Sequence, residues 1–323
     1  MYSAGGAILR ADLRGVVEEA FLQSELFIGP KCCPPIPVQT EGGQYPVIQK
    51  NAGNLLRNEA KPIAAGSDYP RVLRAWTPDT YTCEEYGIEA VVPDKNARTI
   101  GRFFDLEARE TVWGYRQVQI GHEIRVSNLL MTAATFSQVT APITYTTTNL
   151  ATFDVGLDVD TAKAAIQGRG ENVDNLTLVM SYNNFVRIRA STKLQNRIRG
   201  TISTDAFLTL GTQAMADALQ VKQVLIGRAT YDGSAQGSAA SSLSNIWPDT
   251  YMWLGTVVEP SGPDQYFNGS VAFTIFWEQD ADIFQVESYR QERLRSTIIR
   301  ARQNTAEKVV LAPAAELIVT GYG

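Results

Sequence analysis

The sequence predicts an α+β protein organised around one long helix, and three observations carry that prediction. A helical pattern runs from Asp105 to Met131. Before it, residues 36–75 are extended in character and poor in large apolar side chains. After it, helices and strands alternate through residues 153–260 and strands continue to the C-terminus. The chain of 323 residues has room for one large domain or two modest ones.

Residues 1–37 read as an arm. A short amphipathic helix is predicted over Asp12–Leu22, with Leu13, Val16, Val17, Ala20 and Phe21 on one side and Asp12 as its cap. The proline density at Pro30, Pro34, Pro35 and Pro37 then predicts an extended path without helix. Ile36, Val38, Tyr45, Val47 and Ile48 flank a turn at Glu41-Gly42-Gly43-Gln44, which predicts a β-ribbon. Asn51–Asp68 is rich in Asn, Ala and Gly with scattered Lys and Arg. Such a stretch carries no core of its own, so it must lie on the rest of this chain or on a neighbour. Thr80–Val92 alternates apolar and polar residues as a strand does, and Pro93-Asp94 stops it.

For the long helix, Asp105 is the expected N-cap, with Glu107 and Glu110 near the positive end of the dipole. Leu106, Trp113, Ile120, Ile124 and Met131 share one face. Ala108, Val112, Tyr115, Val126, Leu129 and Leu130 share nearly the opposite face. Two apolar stripes predict a helix packed on both sides. Gly114 and Gly121 predict close backbone approach or a bend, and the helix should be about 40 Å long.

Beyond the Thr-rich stretch 140–152, a helix starting at Asp158 or Asp160 is predicted to stop at Gly168 and Gly170. Leu176–Met180 reads as a buried strand, Ser181 as the cap of a helix through Ala190, Thr209–Leu219 as a helix, and Val221–Ile226 as a strand. Asp232–Ser244 is a low-complexity surface loop. Strands are expected at Tyr251–Val258, Val271–Trp277, Ile283–Arg290, Val309–Leu311 and Glu316–Thr320.

Composition narrows the function. The formal charge of −5 has the wrong sign for gripping nucleic acid through its phosphates. Three cysteines, Cys32, Cys33 and Cys83, lack zinc spacing and read as reduced thiols. The first ten residues do not read as a signal peptide, and no apolar run approaches the roughly 20 residues needed to span a bilayer. The expectation is a protein made and folded in a cytoplasm.

The catalytic templates fail on named residues. His122 is the only histidine, so nucleophilic triads have no choice of base. His122-Glu123 begins like a zincin helix, but the second ligand position is Val126. His122 is therefore expected to be a packed or hydrogen-bonded structural residue. Gly168-Arg169-Gly170 lacks the next glycine and the preceding strand of a dinucleotide site, and no phosphate loop or nucleophile elbow occurs. Glu84 and Glu85 should point to opposite faces of a strand, and Asp280 and Asp282 should sit in a solvated turn. The basic run Arg187, Arg189, Lys193, Arg197 and Arg199 is expected to form a solvated face or salt bridges. A second run, Arg290, Arg293, Arg295, Arg300 and Arg302, is expected to line a strand edge and discourage unwanted pairing. No cofactor, metal or catalytic residue is expected.

At the level of local segments, FIGPKCCPPIPV with GGQYPVI, GSDYPRV, YTCEEYGIEAVVPD and FFDLEARETVWGYRQVQIGHEIRVSNLLM resemble pieces of the tailed-bacteriophage major capsid proteins. Those proteins have the Hong Kong ninety-seven phage fold, shared with encapsulin shells. NLTLVMSYNNFVRI, VKQVLIGRA and the closing VVLAPAAELIV extend the resemblance over nearly the whole chain. The resemblance implies an N-terminal arm over 1–37, an extended E-loop over 38–79, and a peripheral P-domain over 80–152 with its spine helix at 105–131. It implies an axial A-domain over 153–260 and a return of 261–323 to the P-domain sheet.

It also implies a subunit that self-assembles through hexamers and pentamers into an icosahedral head shell, assembled in the host cytoplasm and carried in the virion. The genome would be enclosed without sequence-specific binding. Scaffolding, portal or decoration proteins are the further partners implied. Intersubunit contacts are expected at Gly42, Gly43, Tyr45, Lys50, Arg57, Lys61, Trp113 and Arg116. Lys50 has no evident crosslinking partner, so no covalent link between subunits is expected. An encapsulin-type compartment is the alternative within the same fold, and a small-molecule enzyme with an α/β domain is a distant one.

Overall fold

The computed structural model describes residues 8–9, 26–47, 58, 60, 62–64, 66–69, 71, 77–100, 105–199, 211–235, 241–260, 269–279 and 283–322. The predicted helix Asp12–Leu22, the turn at Asp280 and Asp282, and the contact candidates Lys50, Arg57 and Lys61 lie outside them.

The N-terminal part contains β1 (Ile8–Leu9), helix α1 (Gly29–Cys32), β2 (Pro35–Val38), β3 (Gly42–Val47), β4 (Thr77–Thr82) and β5 (Glu84–Pro93). Helix α2 (Asp94–Ile100) and the long α3 (Leu106–Leu130) follow, then β6 (Gln138–Thr140) and α4 (Val155–Gly168). Next come β7 (Leu176–Ser181), α5 (Tyr182–Ala190), α6 (Thr192–Arg199), α7 (Thr212–Leu219), β8 (Gln223–Gly227), β9 (Thr230–Asp232) and β10 (Leu243–Asn245). The chain closes with β11 (Tyr251–Thr256), β12 (Ala272–Trp277), β13 (Gln285–Gln291), β14 (Ser296–Val309) and β15 (Ala315–Val319).

Two larger sheets organise these elements. One has the order β1-β13-β14-β12-β2, with β5 also paired to β14, and α3 lies across its β5 and β14 strands. The other has the order β6-β15-β11-β7-β8 and is covered by α4 to α7. Strands β9 and β10 form a hairpin that presents the small-residue loop, and β3 and β4 pair as a separate antiparallel ribbon.

The long helix ends where its caps predict. Asp105 accepts hydrogen bonds from the Glu107 and Ala108 amides, and Met131 closes the other end. Its burial differs from the two-stripe expectation. One broad face is buried, and much of it is polar: Thr111, Gln119, His122, Glu123 and Ser127 join Tyr115, Val118, Val126 and Leu130. Trp113 is 44% exposed on the other side. Gly114 lies buried against β14 and β5, but a Cβ there would lie 3.4 Å from Ala301 and 3.9 Å from Ile88, ordinary contact distances, so the approach does not depend on the glycine.

Several expectations are corrected. Pro30 does not keep the arm extended. It sits in the first turn of α1, where a missing N–H removes no helical bond. The ribbon does not pair 36–38 with 45–48 around the double glycine. Instead β2 runs parallel to β12, while Gly42 and Gly43 lie within β3 opposite Thr82 and Tyr81. Helix α4 starts earlier than predicted, because Asp154 is its N-cap and Asp158 is a buried residue of its first turn, accepting from the Tyr145 hydroxyl. The short strand expected at Val309–Leu311 is the end of the 14-residue β14, which is central rather than an edge. Finally, the last strand does not return to the sheet under the long helix: β15 lies between β11 and β6 in the other sheet.

Candidate assembly surface

Three features could hold copies of the chain together or set the geometry of the segments that do. They are the ribbon β3–β4, the outward face of α3, and the polar seam that fixes Ile28 and Gly29.

The ribbon is anchored at its base. Tyr45 is buried with Ile36, Val38, Tyr81, Cys83, Phe273 and Ile275, and its hydroxyl donates to Asp79 at 2.8 Å. Burial and the Asp79 carboxylate push the Tyr45 phenol above its usual range, and the same hydrogen bond holds the Asp79 carboxyl below its own. Tyr45, expected as an intersubunit contact, is thus buried as an internal anchor of the ribbon within its own chain. Gly43 is required here: a Cβ would sit 2.9 Å from the Tyr81 hydroxyl and 3.1 Å from its ring. Gly42 is exposed and Gly43 half-buried. Val47 is paired with Thr77, so the two chain ends of segment 48–76 leave the ribbon side by side.

On α3, Trp113 and Arg116 are both exposed, with Ile120 and Ile124 half-buried further along the helix. The structure therefore leaves both predicted residues available on the surface. At the far end of the sheet, a cleft of about 470 Å³ lies between α2 and the β13–β14 turn, lined by Asp94, Lys95, Arg98, Leu294 and Arg295. Arg290 holds Asp94 through two contacts of 2.5 and 2.6 Å, and this pairing keeps the Asp94 carboxyl below its usual range.

The second arginine run does not guard an edge. Arg300 lies between Glu89 of β5 at 2.7 Å and Glu287 of β13 at 3.8 Å. Arg302 reaches Glu287 at 2.9 Å and Glu85 at 3.8 Å. These pairs tie three strands together across an open sheet face. The first basic run is likewise locally paired: Arg187 with Asp249, Lys193 with Asp154 and Arg197 with Asp160.

The seam on the buried face of α3 is the feature sequence reasoning missed. Glu123 is fully buried, and its carboxylate accepts three hydrogen bonds. One oxygen takes the Ile28 amide at 3.0 Å and the Trp247 indole N–H at 2.6 Å; the other takes the Gly29 amide at 2.6 Å. Burial raises the Glu123 carboxyl above its usual range despite these donors. His122 Nε2 lies 3.2 Å from the Thr274 hydroxyl, which donates to the Cys33 carbonyl. Burial holds the His122 imidazole down to about 4, so it is neutral near pH 7. Arg125 pairs with Glu307 at 3.1 Å and stacks 3.7 Å above the Tyr86 ring. The Ser127 hydroxyl donates to the Ile246 carbonyl at 2.9 Å. Residues from 28 to 307 meet on this face, and its only sequence signal was polar residues inside an otherwise packed helix.

His122 thus has a hydrogen-bonded structural setting, and Val126 beside it is buried in an apolar cluster. Among the described residues no group of His, Cys, Asp or Glu could hold a metal ion, and no helix is long and apolar enough to cross a membrane.

No protein-family model matches the sequence, and no curated protein does. Solved structures do match over nearly the full chain. A phage-related protein from Bordetella bronchiseptica RB50 superposes with a TM-score of 0.71 at 21% identity, over 98% of both chains. The capsid of cyanophage P-SCSP1u matches with a TM-score of 0.59 at 10% identity, over 99% of this chain and 92% of that one. The chain has the phage capsid fold. The same capsid fold relates it to a virus-like particle from Pyrococcus furiosus, with a TM-score of 0.54 at 7% identity over 95% and 97% of the two chains. The α+β class read from the sequence and the resemblance to phage shells agree with these superpositions.

Proposed function

We propose that this chain is a major capsid protein: a structural subunit, not an enzyme, that self-assembles into the closed shell of a phage head. The observation that carries the reading is the nearly full-length match to a cyanophage capsid and to a virus-like particle, at 10% and 7% identity, beside the match to a phage-related protein at 21%. Its physical support is the segment 48–76, which leaves a rigid two-stranded base and whose described residues are without strand or helix and mostly exposed. An extended segment buries much area per residue when it lies on a neighbour. Permanent interfaces commonly exceed about 2,000 Å² in total, and closed shells repeat heterologous contacts around symmetry axes.

On this reading residues 1–37 are the arm, 38–79 the E-loop, 80–152 with 261–323 the peripheral domain, and 153–260 the axial domain. Strands β6 and β15 extend the axial sheet. Gly42, Gly43, Lys50, Arg57, Lys61, Trp113 and Arg116 are the proposed contact residues. Hexamers and pentamers of the chain make the shell, and portal, scaffolding or decoration proteins are its proposed partners in the virion.

The test is deletion of the excursion alone. Val38 and Tyr45 belong to the core, so the cut must spare them and remove 48–76, joining Val47 to Thr77 by a two-residue turn. The shortened chain should fold with unchanged helix content by circular dichroism and form no closed particles by electron microscopy. Normal shells from it would remove the E-loop assignment.

A further inference from the structure

Arg169 stands between Gly168 and Gly170 at the end of α4. Its amide donates to the Ile166 carbonyl, and Gly170, at φ +82°, turns the chain away directly after it. The backbone that carries the side chain is therefore fixed, and a cation at a helix C-terminus is electrostatically favoured.

The guanidinium reaches out of its own helix to two connections. Nε donates to the Pro313 carbonyl at 3.0 Å. Nη2 donates to the Ala315 carbonyl at 2.9 Å and lies 2.6 Å from the buried Glu316 carboxylate. Nη1 donates to the Ser137 hydroxyl at 2.6 Å. Residues 310–314 carry the chain from β14 in one larger sheet to β15 in the other, and residues 131–137 carry it from α3 to β6. Arg169 thus touches both connections where they enter the sheet β6-β15-β11-β7-β8. Beside it the two connections also meet each other, through the Leu317 amide and the Ser137 carbonyl at 2.9 Å.

An apolar cluster lines the same joint, with Leu130, Met131, Phe136, Leu311, Leu317 and Trp253 in it. Apolar contact is non-directional and lets packed elements slide. A guanidinium presents its N–H groups in a rigid planar fork, and four contacts from one fork fit one arrangement of their partners. From the α3 side, Glu123 and Ser127 hold Trp247 and Ile246. From the α4 side, the fork of Arg169 holds the two connections.

We propose that Arg169 is the positioning residue of this joint: its fork sets the orientation of one sheet relative to the other, and through it the curvature of the assembled shell. The claim about the joint stands on the geometry alone, and the claim about curvature rests on the shell reading. A closed shell repeats one subunit shape around its axes, so a small change in the bend of the subunit recurs at every copy. A joint without a fixed orientation then gives particles of mixed diameter or open assemblies.

R169K keeps a cation near Glu316 and removes the fork, and S137A removes one branch of it at an exposed residue. Both chains should keep a cooperative thermal transition. Hydrogen exchange read by mass spectrometry on the full-length chain should be at least about tenfold faster in R169K than in the native chain over both 131–140 and 310–317, the scale of lost charge-assisted hydrogen bonds. S137A should speed 131–140 alone. L178A separates a loosened joint from lower overall stability: it should speed exchange in β7 and leave both connections at the native rate. By negative-stain electron microscopy, native particles should be uniform and R169K particles should spread in diameter or stay open. An R169K chain that folds with native exchange in both connections would overturn the positioning role. Loosened connections with uniform particles of native diameter would overturn the link to curvature. A native chain that forms no particles would remove the shell reading and the curvature claim with it, while the exchange rates still decide the joint.

Discussion

The two sheets of this molecule are built on different physics. The sheet β6-β15-β11-β7-β8, with α4 to α7, closes around a continuous apolar cluster containing Val159, Ile166, Leu176, Leu178, Met180, Ile188, Met215 and Leu254. Strand β7 is buried at every position, with Leu176, Leu178 and Met180 in this cluster and Val179 in a second one with Phe136, Trp247 and Trp253. The sheet β1-β13-β14-β12-β2 with β5 divides its apolar burial among separate clusters, around Val92, Tyr115, Val286 and Ile299, around Ile36, Val38, Phe273 and Ile275, and around Val126, Leu130 and Ala272. Between these clusters lie polar contacts: Glu123, His122, Arg125 and Ser127 on the α3 side and the Arg300–Glu89 and Arg302–Glu287 pairs on the open face. An apolar core is non-directional and tolerates repacking, whereas a polar seam fixes one register and depends on each partner being present.

The contrast breaks most sharply in the apolar half. Leu178→Ala, at a fully buried position in β7, should destabilise the chain by about 3–4 kcal/mol in equilibrium denaturation, through lost burial plus a cavity. A loss under about 1 kcal/mol would mean that this half is not closed by its core. In the polar half, Arg125→Ala strands the buried Glu307 beside a neutral His122 and removes the stack on Tyr86. That should cost about 2–3 kcal/mol by the same measurement. Arg300→Ala lies on the open face with its side chain 37% exposed, and should cost no more than about 1 kcal/mol. The Arg300 effect should shrink further at high salt, while that of Leu178→Ala should not.

The same division decides how much was legible from sequence. Where apolar periodicity and caps control structure, the reading came close: Asp105 and Met131 cap the long helix, Ser181 caps α5, and β7 lies where its apolar run ends. Where polar residues are buried, it failed. Strand β14 reads STIIRARQNTAEKV, and its polar second half hid a central strand because Gln303, Asn304 and Thr305 are buried between neighbours. The two apolar stripes of α3 misjudged its packing because Gln119, His122, Glu123 and Ser127 are buried in place of a stripe, and their partners lie up to 152 positions away. Pairing partners such as β2 with β12 carry no local signal, since they join residues 35–38 to 274–277. Of the contact candidates, Trp113 is exposed although its apolar stripe predicted packing, and Tyr45 is buried at the ribbon base, because an aromatic in a polar ribbon looks the same in sequence whether it anchors its own base or a neighbour.

Shell formation is the central claim, and particle imaging reaches it without an intermediate inference. Negative-stain electron microscopy of the full-length chain, expressed alone and together with its neighbouring genes, should show closed particles of uniform diameter built from the 35.5 kDa subunit. Boiled particles should run as a single band at that mass. A chain that stays monomeric in both preparations would contradict the account.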